Sequence, residues 1–339
     1  MKKLKIAAIG TEHRHIFGQL KGMLDLGCEC VGWWNDGDNK ITDDFAEKYP
    51  TIKREMDKNN LLSNPEIDLV LIADIPNKRA DLAIECMEAG KDVMLDKPGC
   101  TSLEQLKRIE QTVLKTKRIF SIDFSERFEV PSVQVAYDLI QKGEIGNVVQ
   151  TIGMGPHRLN LPTRPEWFFD YEKYGGILCD IASHQIDQFL FFTGSTQAEI
   201  ISSSTGNFAH PQFPKFEDFG EILIHGDKGR GYIRVDWYTP DALPNWGDGR
   251  LTIIGTEGYI ELRKYVDVVG RDGTDHIFLV NKEKYEYINA SSKPLTYFQR
   301  LMNDVLERSS TAMEQDHCLK VMNLAINAQL NAKKMGNLK

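Results

Sequence analysis

The sequence predicts a two-part α/β protein: an N-terminal doubly wound parallel sheet, then an α+β part on a mostly antiparallel sheet with one wet face. Over the first 125 residues, short apolar runs alternate with helical stretches, as in strands that crossover helices bury on both faces. Past residue 125 the runs alternate polar and apolar positions and are separated by glycine turns, as in hairpins with one wet face. A length of 339 residues, at roughly 150 per domain, also divides into two. The expected domains are 1–124 and 125–339.

Residues 4–9, 29–34, 68–73, 92–95 and 119–124 read as the buried strands of the first part. Residues 16–26, 43–48, 79–89 and 102–116 read as its helices, with Gly90 closing one as a C-cap glycine. In the second part, residues 148–153, 199–204, 219–225, 232–238, 251–255, 259–264 and 276–280 read as strands. Turn signals join them at Gly226-Asp227, Gly229, Gly247-Asp248-Gly249 and Gly273. From Pro294 onward, Phe298, Leu301 and Val305, then Cys318, Val321, Leu324, Ala325 and Leu330, fit helices that pack back toward the first part.

Composition excludes several function classes. The 41 basic and 49 acidic side chains leave a net charge of −8 with no basic patch, so neither nucleic acid nor an anionic membrane surface is an expected partner. Apolar runs such as 6–9 and 69–72 fall far short of the roughly 20 residues of a spanning helix. The start MKKLKIAAIG reads as a first strand rather than a signal peptide, because Lys5 interrupts the apolar run and Glu12 and Arg14 end it. The 6 cysteines are scattered, which predicts reduced thiols and a cytoplasmic protein.

Ligands of doubly wound sheets lie beyond the carboxyl ends of the strands, where strand order reverses. The first strand-to-helix turn stands there and reads Gly10-Thr11-Glu12-His13-Arg14-His15. A dinucleotide fingerprint requires glycine at its first, third and sixth places, and only Gly10 matches. The helix N-terminus and Arg14 still favour a pyrophosphate, while Glu12 opposes it unless it points outward. Asp36, after the second strand, is placed to hold the adenosine ribose, which prefers NAD over NADP, although Asn35 and Lys40 leave NADP open. As a bare pattern, Gly10 is equally a turn glycine and Asp36 a capping acid. His13 and His15 have three readings open: a bond to pyrophosphate, reach to a substrate, or a helix cap. With Glu12 they lack partners at ligand spacing, so no metal site is predicted.

Lys97, in Asp96-Lys97-Pro98, places a cation at the end of a central strand. Asp180, His184 and Asp187 follow the pair Gly175-Gly176 at spacings of four and three, which predicts one stripe of a helix. A histidine can exchange a proton at neutral pH while a neighbouring carboxylate fixes its tautomer.

These residues resemble the glucose-fructose oxidoreductase / inositol dehydrogenase / MocA-like (Gfo/Idh/MocA) family over nearly the whole chain. Asp96-Lys97-Pro98 resembles its Glu-Lys-Pro motif, and residues 175–187 match its Gly-Gly-x3-Asp-x3-His pattern. Residues 73–80 with Gly90-Lys91, Arg127-Phe128 with Pro131, residues 143–146 and residues 255–261 are similar as well. Arg79 departs from the family pattern, standing where many relatives place a histidine.

The resemblance implies an N-terminal Rossmann-like domain and a C-terminal α+β domain with a large, mostly antiparallel open-faced sheet, in a dehydrogenase or reductase acting on CH-OH groups of a sugar, cyclitol or related polyol with NAD or NADP. Lys97 and His184 are its implied catalytic pair, and Asp180 positions the histidine or binds a substrate hydroxyl. The expected cofactor-binding set is Gly10, Thr11, His13, Arg14, His15, Asp36, Ala73, Asp74, Pro76, Asp96 and Lys97. The expected substrate-binding set is Arg127, His157, Arg158, Trp167, Asp170, Asp180 and His184. Two alternatives stay open: a glycosidase- or epimerase-type enzyme that oxidises its substrate transiently, and a non-enzymatic nucleotide or sugar sensor. The second part's open sheet face suggests a homodimer or homotetramer.

Overall fold

Residues 3–123 with 296–322 gather into one unit and residues 124–295 with 323–336 into another in the computed structural model, which describes residues 3–336. The strands of the first unit are β1 (Lys5–Ile9), β2 (Glu29–Trp34), β3 (Leu69–Ile72), β4 (Asp92–Asp96) and β5 (Phe120–Asp123). They form one sheet in the order β2-β1-β3-β4-β5, with every pairing parallel. All residues of β3, β4 and β5 are buried, which is why their sequences carry no polar alternation. Strand order reverses between β1 and β3, so the ligand crevice of this sheet opens above their carboxyl ends.

The longer helices between these strands are α1 (Ile16–Asp25), α2 (Lys40–Lys48), α3 (Pro76–Glu88) and α4 (Leu103–Thr116). Asn39 caps α2 through Ile41 N–H and Thr42 N–H at 2.8 and 3.0 Å, and Ser102 caps α4 through Gln105 N–H at 3.2 Å. Each such cap stabilises its helix by about 1 kcal/mol. Helix α3 begins three residues before the expected start because Pro76, at its first turn, supplies a preset φ and no orphan N–H. The later helix Tyr297–Glu307 belongs to this unit as well, its Phe298 ring lying against Gly22 of α1.

The second unit carries a nine-stranded sheet in the order β13-β12-β11-β10-β6-β9-β8-β7-β14. Its strands are β6 (Val148–Pro156), β7 (Ala198–Gly206), β8 (Phe219–Gly226), β9 (Arg230–Asp236), β10 (Arg250–Gly255), β11 (Gly258–Arg263), β12 (His276–Asn281), β13 (Tyr285–Asn289) and β14 (Lys333–Lys334). Only the β6–β9 and β7–β14 pairs are parallel; the remaining pairs are antiparallel. Alternate residues of β8 are buried, the signature of one dry face. That face packs on α5 (Pro131–Gln141) and α6 (Ala182–Thr193), with Val133, Ala136 and Phe192 joining Ile253, Leu262 and Leu279 in one core.

Strand β13 was not expected from the sequence. Its residues are almost all exposed, so no apolar face marks it. Asp180 and His184 do not share one helix either: Asp180 ends the single turn Ile177–Asp180, and His184 lies on α6. No helix among the described residues is long and apolar enough to cross a membrane.

Candidate active site

In the first unit the residues at the carboxyl ends of β1, β3 and β4 converge. Gly10 turns the chain at φ +80°, its N–H donating to Trp34 O at 2.9 Å. A Cβ on Gly10 would stand 2.6 Å from Asp74, so only glycine admits this approach. Thr11 is fully buried, its N–H donating to Asn35 Oδ1 at 2.7 Å. Its hydroxyl has no protein partner. Ala73 O accepts the His13 N–H at 2.8 Å, and Pro76 is buried at the start of α3.

The two loop histidines reach across β3 to β4. His13 Nδ1 lies 2.9 Å from Asp96 Oδ2, and His15 Nδ1 lies 2.7 Å from Asp96 Oδ1. The capping reading fails for His15: it occupies the N-cap of α1 but makes no side-chain cap bond. Burial drives the His13 imidazole down to about 4, although Asp96 pulls the other way.

Behind Asp96 stands Arg79, fully buried on α3. Its Nε donates to Asp74 O at 2.7 Å, one terminal nitrogen to the carbonyls of Asp96, Lys97 and Pro98, and the other to Asp96 Oδ2 at 2.8 Å. Burial opposes ionisation of Asp96, but Arg79 and the two imidazoles outweigh it and hold its carboxyl well below the usual range. Arg79 therefore fixes the turn that carries Lys97, itself only 6% exposed. Asp74 differs: burial pushes its carboxyl up to about 6, because its Ile75 N–H bond and the nearby cations do not offset desolvation.

Arg14 and Asp36 of the expected cofactor set, and the loop residue Glu12, have side-chain partners. Arg14 pairs with Asp44 at 2.7 Å. Asp36 is exposed and pairs with Lys78 at 3.2 Å, while the neighbouring Asn35 is the buried residue that bonds the first loop. Glu12 accepts from the side-chain amides of Asn35 and Asn39, each at 2.7 Å.

The second unit places His184 on α6, 2% exposed, its ring edge-on to Phe124 at 6.3 Å. Asp187, expected beside it, accepts instead from Arg127 Nε at 2.8 Å, and the Arg127 guanidinium lies over the Phe128 and Phe191 rings. This arginine is thus committed to a buried ion pair. His157 packs between Trp237 and Trp246, with Nδ1 3.0 Å from Gly155 O. Arg158 bonds the carbonyls of Pro240 and Leu243, fixing that loop. Trp167 is buried on a 3-10 turn beside Phe168, and Asp170 caps the turn Tyr171–Tyr174 and pairs with Lys215 at 3.1 Å.

Sequence reasoning missed a set of buried charges in this unit. Lys264 Nζ lies 2.7 Å from Glu126 Oε2, which also accepts from the Gln185 side-chain amide at 3.0 Å. Burial works against the Glu126 carboxylate, but Lys264, His184 and His157 hold it well below its usual range. Arg164 stacks over Phe168 and Trp237 at 4.4 and 5.0 Å. Burial lowers its guanidinium to about 10 against the pull of Asp180. Arg164 and Asp180, coupled electrostatically, are a cation and an anion whose donors and acceptors suit hydroxyl groups.

The chain matches a family model described as "Oxidoreductase family, NAD-binding Rossmann fold" over residues 9–124 and one described as "GFO/IDH/MocA C-terminal domain" over residues 133–261. Among curated relatives, scyllo-inositol 2-dehydrogenase (NAD(+)) of Bacillus subtilis is 29% identical over 237 residues, 68% of this chain and 64% of that one. Myo-inositol 2-dehydrogenase of Thermotoga maritima is 26% identical over 167 residues, 48% of this chain and 47% of its own. The chain thus spans less than two thirds of these relatives.

A crystal structure of an oxidoreductase candidate from Erwinia carotovora atroseptica superposes with a TM-score of 0.95 and 43% identity, covering 98% of this chain and 100% of that one. Levoglucosan dehydrogenase in complex with NADH superposes at 0.78 with 16% identity over 97% of each chain, a likeness of fold alone. Two family models that together take in both units, and a relative this similar from end to end, place the sequence. The chain belongs to the Gfo/Idh/MocA family of NAD-binding oxidoreductases.

Proposed function

We propose that the protein is an NAD(P)-dependent oxidoreductase that moves a hydride between nicotinamide and a carbinol or carbonyl carbon of a sugar, cyclitol or related polyol. The observation that carries this reading is the Asp96-Lys97-Pro98 turn, held at the carboxyl end of β4 by the buried Arg79. A buried lysine on a fixed turn is a placed cation, which is what a developing alkoxide requires.

The residues of the first unit fit a dinucleotide. The crevice lies at the switch point of the sheet, the Thr11 hydroxyl there is a buried polar atom with no protein partner, and the Asp36 carboxylate, exposed and in a solvent-screened pair with Lys78, stands just past β2. When bound, the nicotinamide accepts or returns the hydride. Thr11 bonds the nucleotide, and Asp36 holds the ribose, which favours NAD over NADP. Lys97 polarises the substrate oxygen and His184 takes or gives its proton. Asp180 and Arg164 bind neighbouring hydroxyls. None of the six cysteines is in a disulfide and five are buried, which supports a reducing compartment such as the cytoplasm.

The test is a screen of polyols, cyclitols and aldoses for NAD- and NADP-linked absorbance change, followed by Lys97→Ala and His184→Ala on the best substrate. Each variant is expected to lose about 100-fold or more in kcat with nucleotide Kd little changed. NAD is expected to bind more tightly than NADP. Near-normal turnover in either variant removes that residue from its role, and glycoside cleavage or epimerisation without accumulated NADH replaces net oxidation by the transient kind.

A further inference from the structure

The His13, His15 and Asp96 cluster carries no proton or hydride step in the function proposed above. Two imidazole nitrogens and a carboxylate oxygen, one from each side chain, all lie within 4.8 Å of one another. We propose that His13, His15 and Asp96 form a binding site for a divalent first-row transition ion of the zinc class, with at least one open position for an oxygen ligand.

The separations fit. Bonds of about 2.0–2.1 Å to nitrogen and oxygen put neighbouring ligand atoms about 3 Å apart on a tetrahedron or octahedron. His13 Nδ1 lies 2.9 Å from Asp96 Oδ2 and His15 Nδ1 2.7 Å from Asp96 Oδ1, so one imidazole stands at that spacing from each oxygen of the carboxylate. The rings meet nearly edge to face, 4.4 Å between centroids and 83° between planes, so each presents its Nδ1 to the same carboxylate without stacking on the other. Two histidines and one carboxylate are a borderline-soft set that selects zinc, iron, cobalt or nickel over magnesium and calcium.

The surroundings are those of a preorganised site. Metal-bound carboxylates are themselves held by outer hydrogen bonds, and Asp96, fully buried, is held by Arg79, which the backbone carbonyls of residues 74 and 96–98 fix in turn. The His15 side chain is 41% exposed and that of His13 19%, which leaves a route for the ion and its oxygen ligand. Arg79 already balances Asp96, so the bound ion leaves the site positive and suited to a phosphate or an alkoxide oxygen. Asp96 directly precedes Lys97, so the ion would stand beside the proposed polarising cation.

The competing account is a pair of plain hydrogen bonds from neutral imidazoles to Asp96. Tag-free protein stripped with chelator and dialysed against ZnCl2 or CoCl2, with metal read by mass spectrometry, separates the two. One equivalent per chain is expected, with visible d–d bands in the Co2+ form. His15→Ala and His13→Ala are each expected to weaken Co2+ binding about 100-fold or more. His15→Ala is the decisive variant, since this partly exposed ring makes no cap bond and its removal leaves the fold standing, checked by circular dichroism. Less than a tenth of an equivalent bound, or binding that both variants leave unchanged, overturns the proposal. Because metal is read without turnover, its failure leaves the hydride-transfer reading intact, and an inactive protein that binds one ion leaves the metal site intact.

Discussion

Arg79→Met removes the group on which the Lys97 turn depends. The arginine is 0% exposed and donates to four backbone carbonyls and to Asp96 Oδ2. Methionine fills much of the same volume, so the loss is polar rather than a cavity. Breaking a buried ion pair by removing one partner costs about 3–5 kcal/mol, because the other charge stays buried without its counter-ion. At about 2–4 °C per kcal/mol for a unit of this size, Tm falls by roughly 6–20 °C.

Urea unfolding at several pH values checks both the size and the sign. In the wild type the Asp96 carboxyl is held low, so its contribution is present at neutral pH and is lost as pH falls. In Arg79→Met burial raises the same carboxyl, so folding takes up a proton and stability recovers as pH falls. The gap between variant and wild type should therefore be wider at pH 8 than at pH 5. Arg79→Lys should recover only part of the loss, since one ammonium cannot reach the carbonyls and the carboxylate together. A loss under about 1 kcal/mol, or a gap that does not change with pH, refutes the reasoning.

The first sheet was legible because parallel strands buried on both faces write themselves as apolar runs, and all five appear within a residue or two of the expected bounds. Strand β13 was not, because Tyr285, Glu286 and Tyr287 are exposed, so no buried apolar face marks the strand in its sequence. Lys97 and His184 stood out through their neighbours in sequence. The histidine cluster did not: its carboxylate comes from Asp96, 81 residues beyond His15, and spacing arguments see only local partners. Buried charge is equally silent, since Glu126, Lys264 and Arg164 look in sequence like any solvated side chain, and only packing shows that they face one another or an aromatic wall.

Two further predictions concern single residues of each unit. Asp74 has a folded pKa of about 6 against an ordinary 3.8, so its contribution is present below pH 4 and lost as pH rises to about 6, by up to about 3 kcal/mol. Asp74→Asn keeps an acceptor for Ile75 N–H, and urea unfolding should find it more stable than wild type at pH 7.5 and no better at pH 3.5; equal stability at both values sinks the argument. Gly176→Ala tests the glycine pair ahead of His184. Gly176 sits at φ +87°, which costs any other residue about 1–2 kcal/mol, and the new Cβ collides with the Gln329 amide. That amide is no bystander: it accepts the Leu178 N–H at 2.8 Å and donates to Glu217 at 3.0 and 3.2 Å. Displacing it strands buried polar groups at about 1–3 kcal/mol, for a total of about 2–5 kcal/mol. The damage falls in the second unit, next to Asp180 and ahead of α6. Turnover should therefore fall sharply while NADH fluorescence titration gives a near-normal Kd, since the proposed cofactor residues belong to the first unit. Loss of nucleotide binding together with activity would show that the two units do not keep their functions apart.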